Sequence, residues 1–318
     1  MKHLVNAGMV LASLFSMGTA FAQDDLLQSA FEGIAEIGKQ WSGEVNVATQ
    51  ILYTPLHKAV DDEGLVLHAD IAYGEDPLQN FDLWVSDMDF RESGPVLVYF
   101  HGGGLVRGDK VNPGTDSLIY SNIGKFVARM GGVGINANYR LAPAAKWPDG
   151  AEDLRLIIEW IKENVAEFGG DPDNIILMGN SAGATHVATY LYHEDSQLPE
   201  GPGIKAAVLS SCGCGSDASV YYGDDPVLRA ARSPLGLVDS YEGDHVPVYL
   251  WSAEYDPANI ETSVARLYAK LCGKYADCPM YTQWQGYNHV SHVMSINTRD
   301  TTITDGLMRF YHDLVGPR

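Results

Sequence analysis

An α/β domain with a mostly parallel sheet is the architecture this sequence predicts. From Pro95 onward, short apolar runs alternate with segments of helical period, the pattern of parallel strands joined by crossover helices. One such run, Asn174–Met178, leads directly into Gly179-Asn180-Ser181-Ala182-Gly183 and then into a helical segment. An earlier run, Pro95–His101, leads into Gly102-Gly103-Gly104. No composition break, internal repeat or low-complexity tract divides the chain, so residues 23–318 are expected to form a single domain.

Residues 1–22 read as an export signal: a basic start at Lys2, a mostly apolar stretch from Leu4 to Met17, then Ala20-Phe21-Ala22. The apolar stretch is shorter than the ~20 residues that span a bilayer, so the expectation is cleavage after Ala22, no membrane insertion afterwards, and a periplasmic or secreted protein. Residues 24–41 carry Leu27, Phe31 and Ile34 at helical spacing. Strands are expected at Leu65–Tyr73, Asn80–Val85, Pro95–His101 and Gly132–Asn138. The first two follow one another without a helix, which places the antiparallel end of the sheet there.

Glu152–Phe168 has Leu154, Ile157, Ile158, Ile161 and Val165 on one helical face and stops at Gly169-Gly170. Ala182–Tyr192 continues as a helix after the glycine-flanked serine. Further strands are expected at Ala206–Ser210, Val246–Ser252 and Met280–Trp284. Helices are expected through Val264, Leu267, Tyr268 and Leu271, and through Ile303, Leu307, Phe310 and Leu314. The Gly- and Asp-rich stretch Gly213–His245 reads as irregular.

With 41 acidic against 21 basic residues, the chain is a poor partner for nucleic acid or an anionic membrane. Of the four cysteines, Cys272 and Cys278 flank a short stretch at a helix end and are the expected bridge. Cys212-Gly-Cys214 lacks a second ligand pair with nearby histidines, so no metal is expected, and buried free thiols are the reading there.

Gly-x-Ser-x-Gly after a strand is the pattern of a nucleophile elbow, a sharp strand-to-helix turn that lifts the serine hydroxyl clear of the sheet. His-Gly-Gly-Gly after an earlier strand offers bare backbone N–H groups suited to an oxyanion. A serine nucleophile needs a base, and the base an orienting carboxylate; in this elbow topology the chain order is Ser, Asp or Glu, His. Asp256 follows the strand Val246–Ser252, with Glu254 as the competing acid. His289 follows the strand Met280–Trp284, with His292 as the competing base. His101 is expected to hold the glycine loop, and His186, inside the helix after the elbow, to be a packed or surface residue.

His101-Gly102-Gly103-Gly104, Asn138-Tyr139-Arg140-Leu141-Ala142-Pro143, Phe168-Gly169-Gly170-Asp171-Pro172 and Gly179-Asn180-Ser181-Ala182-Gly183 together resemble the hormone-sensitive-lipase-like branch of the α/β-hydrolases. Gln79-Asn80-Phe81-Asp82-Leu83 is similar to secreted carboxylesterases and feruloyl-esterase-like members. The resemblance covers residues 79–312 and departs from the family at His289-Val290-Ser291, where His-Gly-Phe is usual. It implies an eight-stranded, mostly parallel sheet with helices on both faces and a small cap. The cap would come from the N-terminal helix and residues 213–245. It also implies no cofactor, a Ser181–Asp256–His289 triad, oxyanion donors at the amides of Gly103, Gly104 and Ala182, and scaffold roles for Arg140 and Asp153.

The expected activity is hydrolysis of a small-molecule ester, short-acyl or aryl, through an acyl-enzyme. The same machinery could act on an amide or a lactone, or transfer an acyl group to an alcohol. A non-catalytic binding protein on the same fold is the alternative of a different class. Retention of the serine, the histidine and the glycines argues against it.

Overall fold

The computed structural model describes residues 23–88 and 92–315. The expected export signal, 1–22, lies outside the described residues. Helix α1 spans 23–37 and α2 Gly43–Lys58. Then come β1 (Leu65–Ala72), β2 (Asn80–Ser86), β3 (Gly94–Phe100), α3 (Ser121–Arg129), β4 (Val133–Ala137), α4 (Asp149–Asn164), β5 (Gly170–Asn180) and α5 (Ala182–Tyr192). After β6 (Ala206–Ser210) come three short helices, α6 (Ser219–Tyr222), α7 (Pro226–Arg232) and α8 (Pro234–Ser240). The chain finishes with β7 (Val248–Tyr255), α9 (Ala258–Tyr275), β8 (Met280–Asn288), α10 (Ser291–Met294) and α11 (Thr302–Val315).

All eight strands join one sheet in the order β1-β2-β4-β3-β5-β6-β7-β8. The β1–β2 and β2–β4 pairs are antiparallel and every later pair is parallel. The antiparallel edge thus falls where the two early strands lack a helix between them. Along β3, Val96, Val98 and Phe100 enter one core while Leu97 and Tyr99 enter the other. Alternate side chains point to opposite faces, and a strand covered on both sides therefore reads as an unbroken apolar run.

One face is covered by the stripe of α4 (Leu154, Ile157, Ile158, Ile161) with Val187 of α5 and Leu267 and Leu271 of α9. The opposite face is covered by Ile34 of α1, Tyr53 and Leu56 of α2, Ile123 and Val127 of α3, and Ile303, Leu307 and Phe310 of α11. No described helix is long and apolar enough to cross a membrane.

Three expectations need correction, and α3 was not expected. The first helix stops at residue 37, where Gly38 takes a φ of 61°, and Ser42 then caps a second helix by accepting from the Val45 amide. Gly213–His245 is not irregular: Asp225 and Ser233 cap α7 and α8, each followed by proline in the first helical turn. That pattern was readable in the sequence. Helix α3 had no counterpart in the pattern, because Gly124 interrupts it and Tyr120 offers no side-chain cap. Finally, Cys212 and Cys214 are bonded to each other rather than free, as are Cys272 and Cys278 at the end of α9.

Candidate active site

Strand β5 ends in a turn that only small residues permit. A Cβ on Gly183 would collide with the backbone of Phe100 and His101 at the end of β3, and one on Gly179 with the backbone of Gly183. Ser181 itself is forced to φ 54° and ψ −114°, a strained conformation for a residue with a side chain. Its amide is anchored by donating to the Ser210 carbonyl at 2.9 Å. The adjoining Ala182 opens α5, so its N–H is among the helix-start donors without an intrahelical partner.

The structure brings Ser181, His289 and Asp256 together from the carboxyl ends of β5, β8 and β7, where ligands collect in open parallel sheets. His289 Nε2 lies 2.9 Å from Ser181 Oγ, and His289 Nδ1 donates to Asp256 Oδ1 at 2.7 Å. Asp256 is fully buried, and its second oxygen accepts from the Ser211 hydroxyl and the Ala253 amide, each at 2.8 Å. Burial alone would raise this carboxyl. The hydrogen bond and charge of His289, with His292 and the Ala253 amide, outweigh it and hold the group below the usual carboxylate range. Ser211 was missed from sequence. Its only signal is its place after β6, and nothing in the pattern says which carboxylate its hydroxyl meets.

The competing residues are elsewhere. The carboxylate of Glu254 accepts from the Gly286 amide at 2.7 Å and braces the β8 turn. His292 is fully buried between the Ser210 hydroxyl and the Asn288 carbonyl.

The glycine loop after β3 is shaped by its own backbone. A Cβ on Gly103, whose φ is 144°, would strike the Arg107 carbonyl. His101 Nδ1 donates to the Gly102 carbonyl at 2.7 Å, and its ring stacks on Tyr139 at 4.4 Å between centroids. The Tyr139 hydroxyl in turn donates to the His101 carbonyl at 2.7 Å. His101 therefore braces the loop and does not reach Ser181 by any hydrogen bond.

Ser181 stands between two cavities. One, of about 530 Å³, is bounded by Gly104, Leu105, Ala182, Leu235, Ile260 and Arg266. The other, of about 490 Å³, is bounded by Trp41, Asn46, Gln50, Gly103, Gly104 and Val290. Gly103, Gly104 and Ala182 thus all border the space around the serine hydroxyl. No group of three or more His, Cys, Asp or Glu among the described residues is arranged to hold a metal.

A family model described as the alpha/beta hydrolase fold matches residues 97–245, the segment from β3 through the elbow to the end of the short helices. The sheet order, the elbow and this match together show the α/β-hydrolase fold. Phenmedipham hydrolase of Pseudarthrobacter oxydans is 38% identical over 132 residues, which are 40% of this chain and 25% of that protein. Versiconal hemiacetal acetate esterase of Dothistroma septosporum is 27% identical over 221 residues, 63% of this chain and 64% of that one. The chain spans only a quarter of the length of the first of these relatives. Among solved structures, esterase B from Lactobacillus rhamnosis superposes with a TM-score of 0.67 over 92% of this chain and 95% of that one, at 16% identity.

The roof of the site differs from the expected cap. Helix α1 packs on the sheet through Ala30 and Ile34, and it is Trp41 and the first turns of α2 that reach the serine. From 213–245, Gly213, Asp217 and Leu235 line the larger cavity. Tyr221, Tyr222 and Tyr241 of the same stretch are buried. Tyr221 packs edge-on against His186 at 5.2 Å, which places His186 wholly inside the protein.

Four buried histidines make stability depend on pH. Burial is the main cause holding His57, His101 and His292 down to about 4 and His186 to about 3. In the unfolded chain each returns to about 6.5. The unfolded state therefore binds more protons between these values, and stability present above pH 6.5 is lost as pH falls toward 4. Near pH 5 each histidine is expected to contribute a slope of about 1.4 kcal/mol per pH unit. Urea unfolding at pH 7, 6 and 5 measures it; a midpoint flat across that range would contradict the assignment.

Proposed function

We propose that the protein is a serine carboxylesterase acting on short-acyl or aryl esters. The observation that carries this reading is the unbroken hydrogen-bond chain from Ser181 through His289 to Asp256, at the junction of two cavities bordered by bare backbone amides. His289 Nε2 takes the Ser181 proton as Oγ attacks the ester carbonyl, while Asp256 holds the imidazole tautomer and stabilises its charge. The amides of Gly103, Gly104 and Ala182 stabilise the oxyanion, at about 2.7–4 kcal/mol per donor. Collapse of the intermediate expels the alcohol with the proton from His289, and water then releases the acid by the same steps.

An organophosphonate probe and a series of 4-nitrophenyl esters test this together. The probe is expected to label Ser181 alone. Turnover is expected to peak at acetyl to butyryl chains and to fall beyond about eight carbons, because a bounded cavity gains nothing from methylenes that it cannot bury. Labelling elsewhere, or a maximum at palmitoyl, would overturn the proposal.

Export belongs to the same proposal. It is supported by the basic–apolar–small pattern of residues 1–22 and by two bonded cysteine pairs, which persist in oxidising compartments. Intact mass of protein recovered from a secreting host is expected to start at Gln23. Such protein should take up alkylating reagent only after reduction. A retained Met1 would contradict cleavage, and four thiols alkylated before reduction would contradict the bridges.

A further inference from the structure

The two cavities beside Ser181 are not chemically equivalent, and the histidine tells them apart. In acylation the Ser181 Oγ–acyl carbon bond forms, the ester C–O bond breaks, and the proton on His289 Nε2 passes to the departing alcohol oxygen. The alcohol half must therefore lie on the histidine side. Only the smaller cavity has that contact: Val290 forms part of its wall, and Trp41, another wall residue, meets the His289 ring edge-on at 4.5 Å. No wall residue of the larger cavity comes from β8 or the turn after it. The acyl half is left to the larger cavity.

The alcohol side is lined in an unusual way for a hydrocarbon. Gln50 is only 8% exposed, and its side-chain amide makes no hydrogen bond among the described residues. Asn46, partly exposed, brings a second side-chain amide to the same wall. Arg107 and Asp109 sit at the same wall with opposite charges, so the cleft carries no net charge to select an ion. Trp41, 40% exposed, offers a flat aromatic surface beside these amides.

Side-chain amides both donate and accept, as vicinal hydroxyls do. An aromatic face holds the C–H face of a saturated ring, and about 490 Å³ is enough for one such ring. The geometry points to a neutral polyol of pyranose type as the alcohol, held by Trp41, Asn46 and Gln50, with a short acyl group directed toward Leu105, Leu235 and Ile260. This rests on the esterase reading and adds the identity of the leaving group.

Two acetates of equal ring size separate a hydroxyl-reading cleft from a merely roomy one: a monoacetylated methyl xylopyranoside and cyclohexyl acetate. Enzyme concentration is set by phosphonate titration, so that misfolded molecules do not count. Wild-type kcat/KM is expected to favour the sugar acetate by about 20-fold or more, since a site built for hydroxyls discriminates strongly against an analogue lacking them. Trp41→Ala and Gln50→Leu are each expected to lower that ratio about tenfold, mainly through KM. Equal or reversed preference in wild type, or a ratio that neither variant moves, overturns the inference while the esterase reading stands. Failure to hydrolyse 4-nitrophenyl acetate at all sinks that reading, and this one with it.

Discussion

Ser181→Ala is expected to lower kcat on 4-nitrophenyl acetate by about 10⁶-fold, the scale seen when a serine hydrolase loses its nucleophile. The fold should be unaffected, because the elbow is built by the two glycines and by the Ser181 amide rather than by its hydroxyl. His289→Ala should cost about 10⁴-fold or more, since a neutral hydroxyl is a poor nucleophile without a base. The double variant should be no worse than the poorer single one, as both remove the same step.

Asp256→Asn should cost about 10⁴-fold, because an amide can turn its NH₂ toward Nδ1 and favour the wrong imidazole tautomer. His292→Ala supplies the contrast. Its ring is committed to Ser210 and Asn288, so it should lower thermal stability but change kcat by less than about tenfold. Kinetics on probe-titrated protein decide between them, and a larger loss in the His292 variant would move the base.

The largest stability effect is expected at Asp153. This carboxylate is fully buried and accepts from Gln79 Nε2 at 2.8 Å, the Arg140 amide at 2.8 Å and Arg140 Nε at 2.7 Å. It thereby ties the entrance of β2, the loop after β4 and helix α4 at one point. Burial raises its pKa despite these partners, so the desolvation penalty exceeds the attraction and the pair adds little net stability.

Losing one member is a different matter. Asp153→Ala leaves Gln79 Nε2 and Arg140 Nε without their acceptor, while the rest of the guanidinium keeps Asp149 and Glu152, so the loss of these buried bonds should cost about 3 kcal/mol. For a domain of this size that is a fall of roughly 10 °C in Tm. Asp153→Leu combined with Arg140→Met should cost less than Asp153→Ala alone, because it fills the space and removes the unpaired Nε donor. Calorimetry on the three variants checks the argument, and a loss under about 1 kcal/mol for Asp153→Ala would refute it.

The sequence by itself determined the sheet, its antiparallel edge and the approach to the serine. Strands such as β3 and β5 are covered on both faces, so their apolar runs stand out without any tertiary knowledge. The elbow and the glycine loop were legible for a related reason. Gly103, Gly179 and Gly183 each lie where a Cβ would strike backbone, and a backbone collision has no substitute chemistry.

Tertiary structure alone decided the roof and the walls. Helix α2 turns Val47 and Ile51 outward, at 53% and 67% exposed, while Thr49, Gln50 and His57 face inward. Tyr53 and Leu56 also face inward, so its hydrophobic pattern is mixed, and no reading of periodicity could place Trp41 beside His289 or Gln50 in the cleft. Likewise, Tyr221 and Tyr222 could have lined a pocket or filled a core. Only the packing of His186 and the turn after Cys214 settles that they fill the core, because an aromatic side chain suits either place until its neighbours are known.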